Sequence, residues 1–66
     1  MIECPLTERQ LRVVSKLATG APAKTVAGDL NMTLASVHND IQRALQKIPA
    51  GNSVGLVAFA IRKGWI

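Results

Sequence analysis

The side chains of this sequence that could make directional hydrogen bonds are concentrated between residues 33 and 47. Five of them would lie on the outer side of a helix: Ser36, His38, Asn39, Gln42 and Arg43. Their groups match the donors and acceptors of base edges in the major groove, where Asn and Gln pair with adenine and Arg with guanine. The same spacing also describes the solvated face of an amphipathic helix, so both interpretations stay open at this point.

Four cationic residues could bind phosphate groups beside such a face. Lys24 is the strongest candidate, because it lies at the start of a short predicted helix, whose N-terminus also attracts anions. Lys47, Arg9 and Lys16 are weaker candidates, since Lys and Arg are mostly exposed whatever their role. The net charge of +4 and the pI near 10.0 favour a polyanionic partner, double-stranded DNA first, and indicate nothing about the fold.

Asp40 lies among the proposed base-facing residues and opposes that interpretation. Phosphates repel a carboxylate, unless it accepts a hydrogen bond from a cytosine amino group or pairs with Arg43 three residues on. With Arg43 and Lys47 against Asp40, the segment from 34 to 48 carries a net charge of only +1. That charge is small for a helix that binds DNA.

No arrangement typical of a catalytic or metal site is recognisable in the sequence. His38 is the only histidine, and Cys4, the only cysteine, has no evident base. The four acids form no motif pair; they are Glu3, Glu8, Asp29 and Asp40. A Gly-rich loop for phosphates is also missing. We therefore expect no enzyme activity, no cofactor and no metal.

The composition and the opening residues indicate the cellular compartment of the protein. One cysteine allows no internal disulfide, and the opening residues do not resemble a signal peptide. The longest apolar stretch, residues 54 to 61, is far shorter than the ~20 residues that span a bilayer. We expect a cytoplasmic, nucleoid-associated protein that makes no contact with membranes.

A scaffold of four helices is predicted to carry these residues, at about 8–19, 23–30, 34–47 and 53–63. Thr7 and Gln10 form a capping box for the first helix, and Gly20 follows its end. Its apolar positions repeat with helical spacing. They are Leu11, Val14, Leu17 and Ala18.

The second and third helices form a helix-turn-helix pattern: a short helix, a three-residue turn and a longer helix with a polar outer face. Asn31 suits the left-handed conformation of a sharp turn, Thr33 caps the longer helix, and Pro49 closes it. A buried stripe is predicted along that helix. It consists of Leu34, Val37, Ile41, Ala44, Leu45 and Ile48.

The last helix, capped by Asn52 or Ser53, is apolar on two faces. The first face consists of Val54, Val57, Ala58 and Ile61, and the second of Leu56, Phe59 and Ala60. A chain of 66 residues buries only about 60% of its unfolded surface, which favours burial between two copies. We expect the first face to be the contact of a symmetric homodimer. In the alternative, Leu56 or Phe59 simply stays exposed.

Six segments resemble, in order and without a gap, the LuxR/FixJ-type (GerE-like) helix-turn-helix family. They are Leu6-Thr7-Glu8-Arg9-Gln10, Leu17-Ala18-Thr19-Gly20, Lys24-Thr25-Val26-Ala27, Leu30-Asn31-Met32-Thr33, Ser36-Val37-His38-Asn39 and the ending from Val57 to Ile66. The resemblance implies an all-α, compact four-helix domain. Such a domain binds DNA as a dimer, with the last helix at the contact between the two copies. It also implies that His38, Asn39 and Gln42 face bases and that Lys24 and Lys47 lie near the backbone.

The chain departs from the family pattern at a few positions. The family usually has Lys at the position of His38, His at that of Asp40, a basic residue at that of Gln46, and Glu at those of Gln10 and Leu34. Most of these changes on the third helix remove positive charge, which predicts weaker binding to DNA. Family members commonly carry a sensor domain, whereas this sequence predicts a single domain, residues 1–66, standing alone without one.

Two functions compete at this stage. The first is a bacterial or phage transcription regulator that reads the major groove with helix 34–47, as a homodimer. The second is a protein-interaction module or antagonist that pairs with a full-length regulator or RNA polymerase through its last helix. The helix-turn-helix pattern and the basic pI favour the first function, which we prefer, whereas Asp40 and the low charge of the third helix favour the second.

Overall fold

A computed structural model describes residues 4–66, so that Glu3 lies outside the described residues. Four helices form: α1 Glu8–Ala18, α2 Ala23–Asp29, α3 Leu34–Lys47 and α4 Ser53–Arg62. No strand occurs within residues 4–66, and the predicted all-α, four-helix architecture is confirmed. Three helices end one residue earlier than predicted, because Thr19, Leu30 and Lys63 are their C-caps.

Side-chain caps define where α1 and α3 begin. Thr7 Oγ1 accepts a hydrogen bond from Gln10 N at 3.1 Å, and Thr7 N donates to Gln10 Oε1 at 3.1 Å. This reciprocal pair completes the predicted capping box. Thr33 Oγ1 likewise accepts from Ser36 N at 3.1 Å. Each cap satisfies amide groups that a helix start leaves unpaired.

The turn between α2 and α3 reverses the chain sharply at Asn31, whose φ of 55° lies in the left-handed region. Met32 N donates to Ala27 O at 2.8 Å, and Asn31 N donates to Gly28 O at 3.3 Å. This pair of bonds is a Schellman motif, which satisfies the last carbonyls of a helix. The turn therefore fixes the angle at which α3 leaves α2.

The core lies around α3, which packs against all three other helices. Its side chains are almost entirely branched aliphatic residues and alanine, which pack tightly between helices. The largest fully buried apolar ones are Val13, Val14, Val26, Val37, Ile48 and Leu56. The described part of the chain contains no helix long and apolar enough to cross a membrane.

Two expectations about burial, and one alternative, were wrong. In α1, Val13 is buried and Ala18 is exposed, because α1 packs against α3 and α4 together and its buried face is turned toward both. Leu34 is 45% exposed, since it lies at the first position of α3, ahead of the first buried residue, Val37. Leu56 is fully buried and Phe59 half-buried, so the alternative that left one of them exposed is incorrect.

The C-terminus of α4 turns at Gly64, whose φ is 76°. Trp65 N donates to Ala60 O at 2.9 Å, and Gly64 N donates to Ile61 O at 3.0 Å, which forms a second Schellman motif. The turn brings the Trp65 ring to 5.6 Å from that of Phe59, measured between centroids. The two aromatic residues of the chain therefore cover the end of α4 together.

α4 begins in close backbone contact with the segment that precedes it. Asn52, and not Ser53, caps the helix: its Oδ1 accepts from Gly55 N at 2.8 Å. A Cβ at Gly55 would collide with the carbonyl oxygen of Ala50. Only glycine leaves room for the loop after α3 to lie against the first turn of α4.

We expect Gly55→Ala to destabilise the fold by about 1 to 3 kcal/mol, the usual cost of forcing extra volume into packed structure. This loss occurs although alanine is the better helix former by about 1 kcal/mol, because the colliding atom belongs to the backbone of Ala50. Gly28→Ala is the matched control, since Gly28 is also helical and has open space around it. It should stabilise the fold, and urea unfolding of both variants checks the contrast. Equal stabilisation of both would show that the contact imposes no constraint.

Candidate nucleic-acid interface

α3 separates a buried aliphatic side from a polar outer side. Val37, Ile41 and Ala44 lie in the core, and four of the predicted base-facing residues are exposed on the other side; these are His38, Asn39, Gln42 and Arg43. Within residues 4–66, the side chains of these four residues make no hydrogen bond. Their donors and acceptors thus face solvent, available to a ligand.

Ser36, the fifth predicted residue, differs from the other four. It is only partly exposed in the first turn of α3, and its Oγ accepts a hydrogen bond from Thr33 Oγ1 at 2.9 Å. Its hydroxyl is therefore already part of the helix cap. A contact between Ser36 and a ligand would use the remaining capacity of that hydroxyl.

Asp40 does not lie on the outer side of α3. Its side chain is 1% exposed and turns toward α1, where Arg9 holds both of its oxygens. Arg9 Nε lies 2.8 Å from Oδ2 and Arg9 Nη2 lies 2.9 Å from Oδ1. The two expected roles of Asp40, a pair with Arg43 or an acceptor for cytosine, are both wrong, because the carboxylate is buried between helices.

The position of Asp40 in the sequence contained a signal for this burial. Asp40 lies three residues after Val37 and four before Ala44, which is the spacing of one helical face, and both neighbours are buried. A buried carboxylate is costly unless it is paired and hydrogen-bonded. The spacing therefore pointed to a cationic partner from another helix, although it did not indicate which one.

The ion pair also acts on Arg9. The hydrogen bond to Asp40 and the charge of Asp40 raise the pKa of the Arg9 guanidinium above its already high ordinary value. A raised pKa adds stability at every pH below the ordinary value, and this stability is lost only as the pH rises through the raised value. Arg9 therefore stays charged throughout the physiological range.

Two of the other predicted phosphate-binding cations also have partners within the chain. Lys47 Nζ donates to Pro5 O at 3.2 Å and to Gln10 Oε1 at 3.3 Å, and so fastens the segment before α1 to the end of α3. Lys16 Nζ lies 3.7 Å from Asp29 Oδ2 in a half-exposed ion pair. Such exposed pairs contribute little to the stability of a protein.

Lys24 contrasts with those cations. It is exposed in the first turn of α2. No salt bridge links it to another residue in the range 4–66. Of the four predicted phosphate-binding residues, Lys24 is therefore the one whose charged group has no hydrogen-bond or ion-pair partner among residues 4–66.

An open groove of about 660 Å³ borders α3 on the side away from Asp40. Its mainly apolar walls come from the end of α1 and the link to α2 on one side and from the start of α4 on the other, with Leu45 and Val57 among them. His38 and Gln42 also line it. The outer side of α3 is thus bordered by an ion pair on one flank and by an apolar groove on the other.

The two apolar faces of α4 have different environments. Leu56 and Ala60 are completely buried in the core. On the other face, Val54 is 77% exposed and Ile61 55% exposed, while Ala58 is exposed as well and Val57 is half-buried. A single chain therefore leaves this face, hereafter the α4 face (Val54, Val57, Ala58 and Ile61), largely in contact with water.

The sequence is similar to those of known bacterial regulators. The family described as bacterial regulatory proteins, luxR family, matches residues 4–60. The chain is 33% identical to the response regulator RamR of Streptomyces coelicolor over 63 residues, which are 96% of this chain and 31% of RamR. It is also 36% identical to the transcriptional regulatory protein UhpA of Salmonella typhimurium, and 31% identical to the transcriptional regulatory protein DesR of Bacillus subtilis, each over 61 residues. Those 61 residues are 92% of this chain, and the chain spans 31% of each of these two relatives.

Proposed function

Because the chain belongs to the luxR family of bacterial regulatory proteins, we propose that it is a sequence-specific DNA-binding regulator of transcription that reads the major groove with α3. The observation that supports this most is the exposed polar side of α3 above a buried aliphatic stripe. An α-helix fits the major groove, and its outer side chains then meet base edges.

The proposed base contacts follow from the chemistry of each side chain. Asn39 and Gln42 can each donate to and accept from adenine, Arg43 can donate twice to guanine, and His38 can donate or accept. Ser36, in the first turn, is suited to a phosphate or to the methyl group of thymine. Asn39 and Gln42 are three residues apart and therefore adjacent on the helix surface.

The burial of Asp40 supports binding to DNA, since this carboxylate was the main argument against it. Asp40 is neutralised by Arg9 and shielded from the outer side of α3. The proposed reading surface is thus free of an exposed acid. We assign the phosphate contacts to Lys24 and Arg9, with smaller contributions from Lys47 and Lys16.

We assign the α4 face to a homodimer contact. Burying Val54 and Ile61 removes apolar surface from water, and a two-fold axis buries the same face on both copies. Such a dimer would present two α3 helices to successive major grooves of an inverted repeat, about one helical turn apart.

The exposed α4 face also supports a second candidate function. The same residues could pair with another transcription regulator or with RNA polymerase, in which case the chain would act as a protein-interaction module. The two functions differ in an observable way, because only the first requires the isolated chain to bind DNA.

Binding to random-sequence DNA at increasing salt tests the proposed function. We expect binding at low salt, with the logarithm of the affinity falling linearly with the logarithm of the salt concentration as phosphate contacts release counterions. Absence of binding even at low salt would reject the proposed function and leave the interaction module.

Selection of preferred sites from random DNA tests the reading residues. We expect Asn39→Ala to weaken binding to the selected site by about 1 to 3 kcal/mol and to relax the base preference at one position of each half-site. Ser15→Ala, on the exposed side of α1, is the control and should leave the selected sequence unchanged. An unaltered preference in Asn39→Ala would place the base contacts elsewhere.

A further inference from the structure

We propose that Asp40 is a positioning residue for DNA binding: it holds the Arg9 guanidinium at the flank of α3, in an orientation that meets a DNA phosphate. The inference rests on the proposed function and adds a role for an acidic residue within it. It begins from the geometry of the ion pair, which links α1 to α3 across 31 positions of the sequence.

The carboxylate occupies one edge of the guanidinium. Asp40 binds Nε and Nη2 at 2.8 and 2.9 Å, so the edge formed by Nη1 and the second hydrogen of Nη2 is not used by it. A guanidinium has five N–H donors in a rigid plane, and such an edge matches the oxygens of a phosphate. The Arg9 side chain is 59% exposed, so a ligand can approach it from the solvent.

The location of the pair matches the proposed reading surface. Asp40 directly follows Asn39 and precedes Arg43 by three residues, so the ion pair joins Arg9 to the same turns of α3 that carry these two proposed base contacts. Arg9 belongs to α1, and DNA lying along α3 would meet it at the α1 flank. Phosphate contacts of this kind fix the register of a protein on DNA.

The buried carboxylate also lowers the entropic cost of binding a phosphate through Arg9. A long side chain loses rotamer freedom when it binds a ligand, and Asp40 has already restricted Arg9 before DNA arrives. A bidentate pair restricts direction as well as distance. The charge of Asp40 opposes phosphates, but this carboxylate is turned into the core and only 1% exposed, so its positioning effect dominates.

The direction in which one substitution changes the affinity for DNA distinguishes this positioning role from a simple effect of charge. Asp40→Ala changes the net charge from +4 to +5, so charge alone would strengthen binding to DNA. Loss of positioning weakens it, and we expect affinity for the selected site to fall about tenfold, the scale of one charge-assisted hydrogen-bonded contact. Asp29→Ala is the matched control: it removes an exposed acid and should bind DNA at least as tightly as the unmodified chain.

Two further variants separate positioning from stability. Asp40→Leu fills the buried site with apolar volume, which can keep the fold intact without the ion pair, and it should also bind more weakly while circular dichroism shows it folded. Arg9→Ala should reduce the salt slope by about one for each half-site. Combining Arg9→Ala with Asp40→Leu should weaken binding no further than Arg9→Ala alone, since both remove the same contact.

The outcomes distinguish this inference from the proposed function. If the unmodified chain binds DNA and the folded Asp40→Leu variant binds as well or better, Asp40 has no positioning role, and the proposed function still stands. An unchanged salt slope in Arg9→Ala would likewise overturn the inference. If the unmodified chain fails to bind at low salt, the proposed function and this inference fall together.

Discussion

Ile61→Lys is expected to leave the chain folded and to lower its affinity for an inverted-repeat DNA site by about a hundredfold, the lower end of what linking two binding units contributes. Ile61 is 55% exposed in the single chain, so a lysine there meets water and leaves the core intact. In the proposed dimer the same lysine would be buried twice, once from each copy, against an apolar face. Burial of an unpaired charge prevents association.

The direction of the change in DNA affinity shows whether Ile61→Lys acts through the dimer or through charge. The substitution adds a positive charge, which by itself strengthens binding to phosphates. Ser15→Lys adds the same charge at an exposed position of α1 and should bind DNA as tightly as the unmodified chain or more tightly. Sedimentation equilibrium should show a dimer for this control and a monomer for Ile61→Lys. A dimer that persists in Ile61→Lys, with unchanged affinity, would exclude the α4 face as the contact.

Leu56→Ala is expected to remove about 2 to 5 kcal/mol of folding free energy, the usual range for a buried leucine. A chain of this size has roughly 3 to 10 kcal/mol in total, so much of the population would unfold at 37 °C. Leu56 is completely buried where α4 meets the core. The other helices cannot close the resulting cavity fully, because their buried residues are already tightly packed.

Val54→Ala is the matched control on the same helix. Val54 is 77% exposed, so its truncation should change the stability of the monomer by no more than about 0.5 kcal/mol. Urea unfolding at a protein concentration low enough to dissociate any dimer measures both variants. Similar losses for the two substitutions would mean that the two faces of α4 are not divided between core and solvent as described.

The helices of this fold could be predicted from local signals. The Thr7–Gln10 capping box, the Thr33 cap and the left-handed Asn31 all depend on residues close together in the chain, and local rules describe such interactions. The apolar spacing of α3 predicted its buried side as well, except at Leu34, where the helix begins, and at Leu45, which is only partly buried. Family resemblance added the arrangement of the four helices, which spacing alone does not determine.

The candidate site could be predicted only in part. The exposed polar residues of α3 follow from helical periodicity, whereas the partner of Asp40 does not. Arg9 is distant in the sequence and meets Asp40 only because α1 packs along α3. For α4, the face expected at a dimer contact is the one that a single chain leaves largely exposed, whereas the partner that covers it does not follow from composition.

The contact between Gly55 and the Ala50 carbonyl has a consequence for the spacing of DNA sites. The loop between α3 and α4 lies directly against the first turn of α4 at Gly55, and Asn52 caps that turn. In a dimer formed through α4, each reading helix would then stand at a set distance from the two-fold axis. Such a dimer would accept one separation between half-sites and reject operators lengthened or shortened by a single base pair.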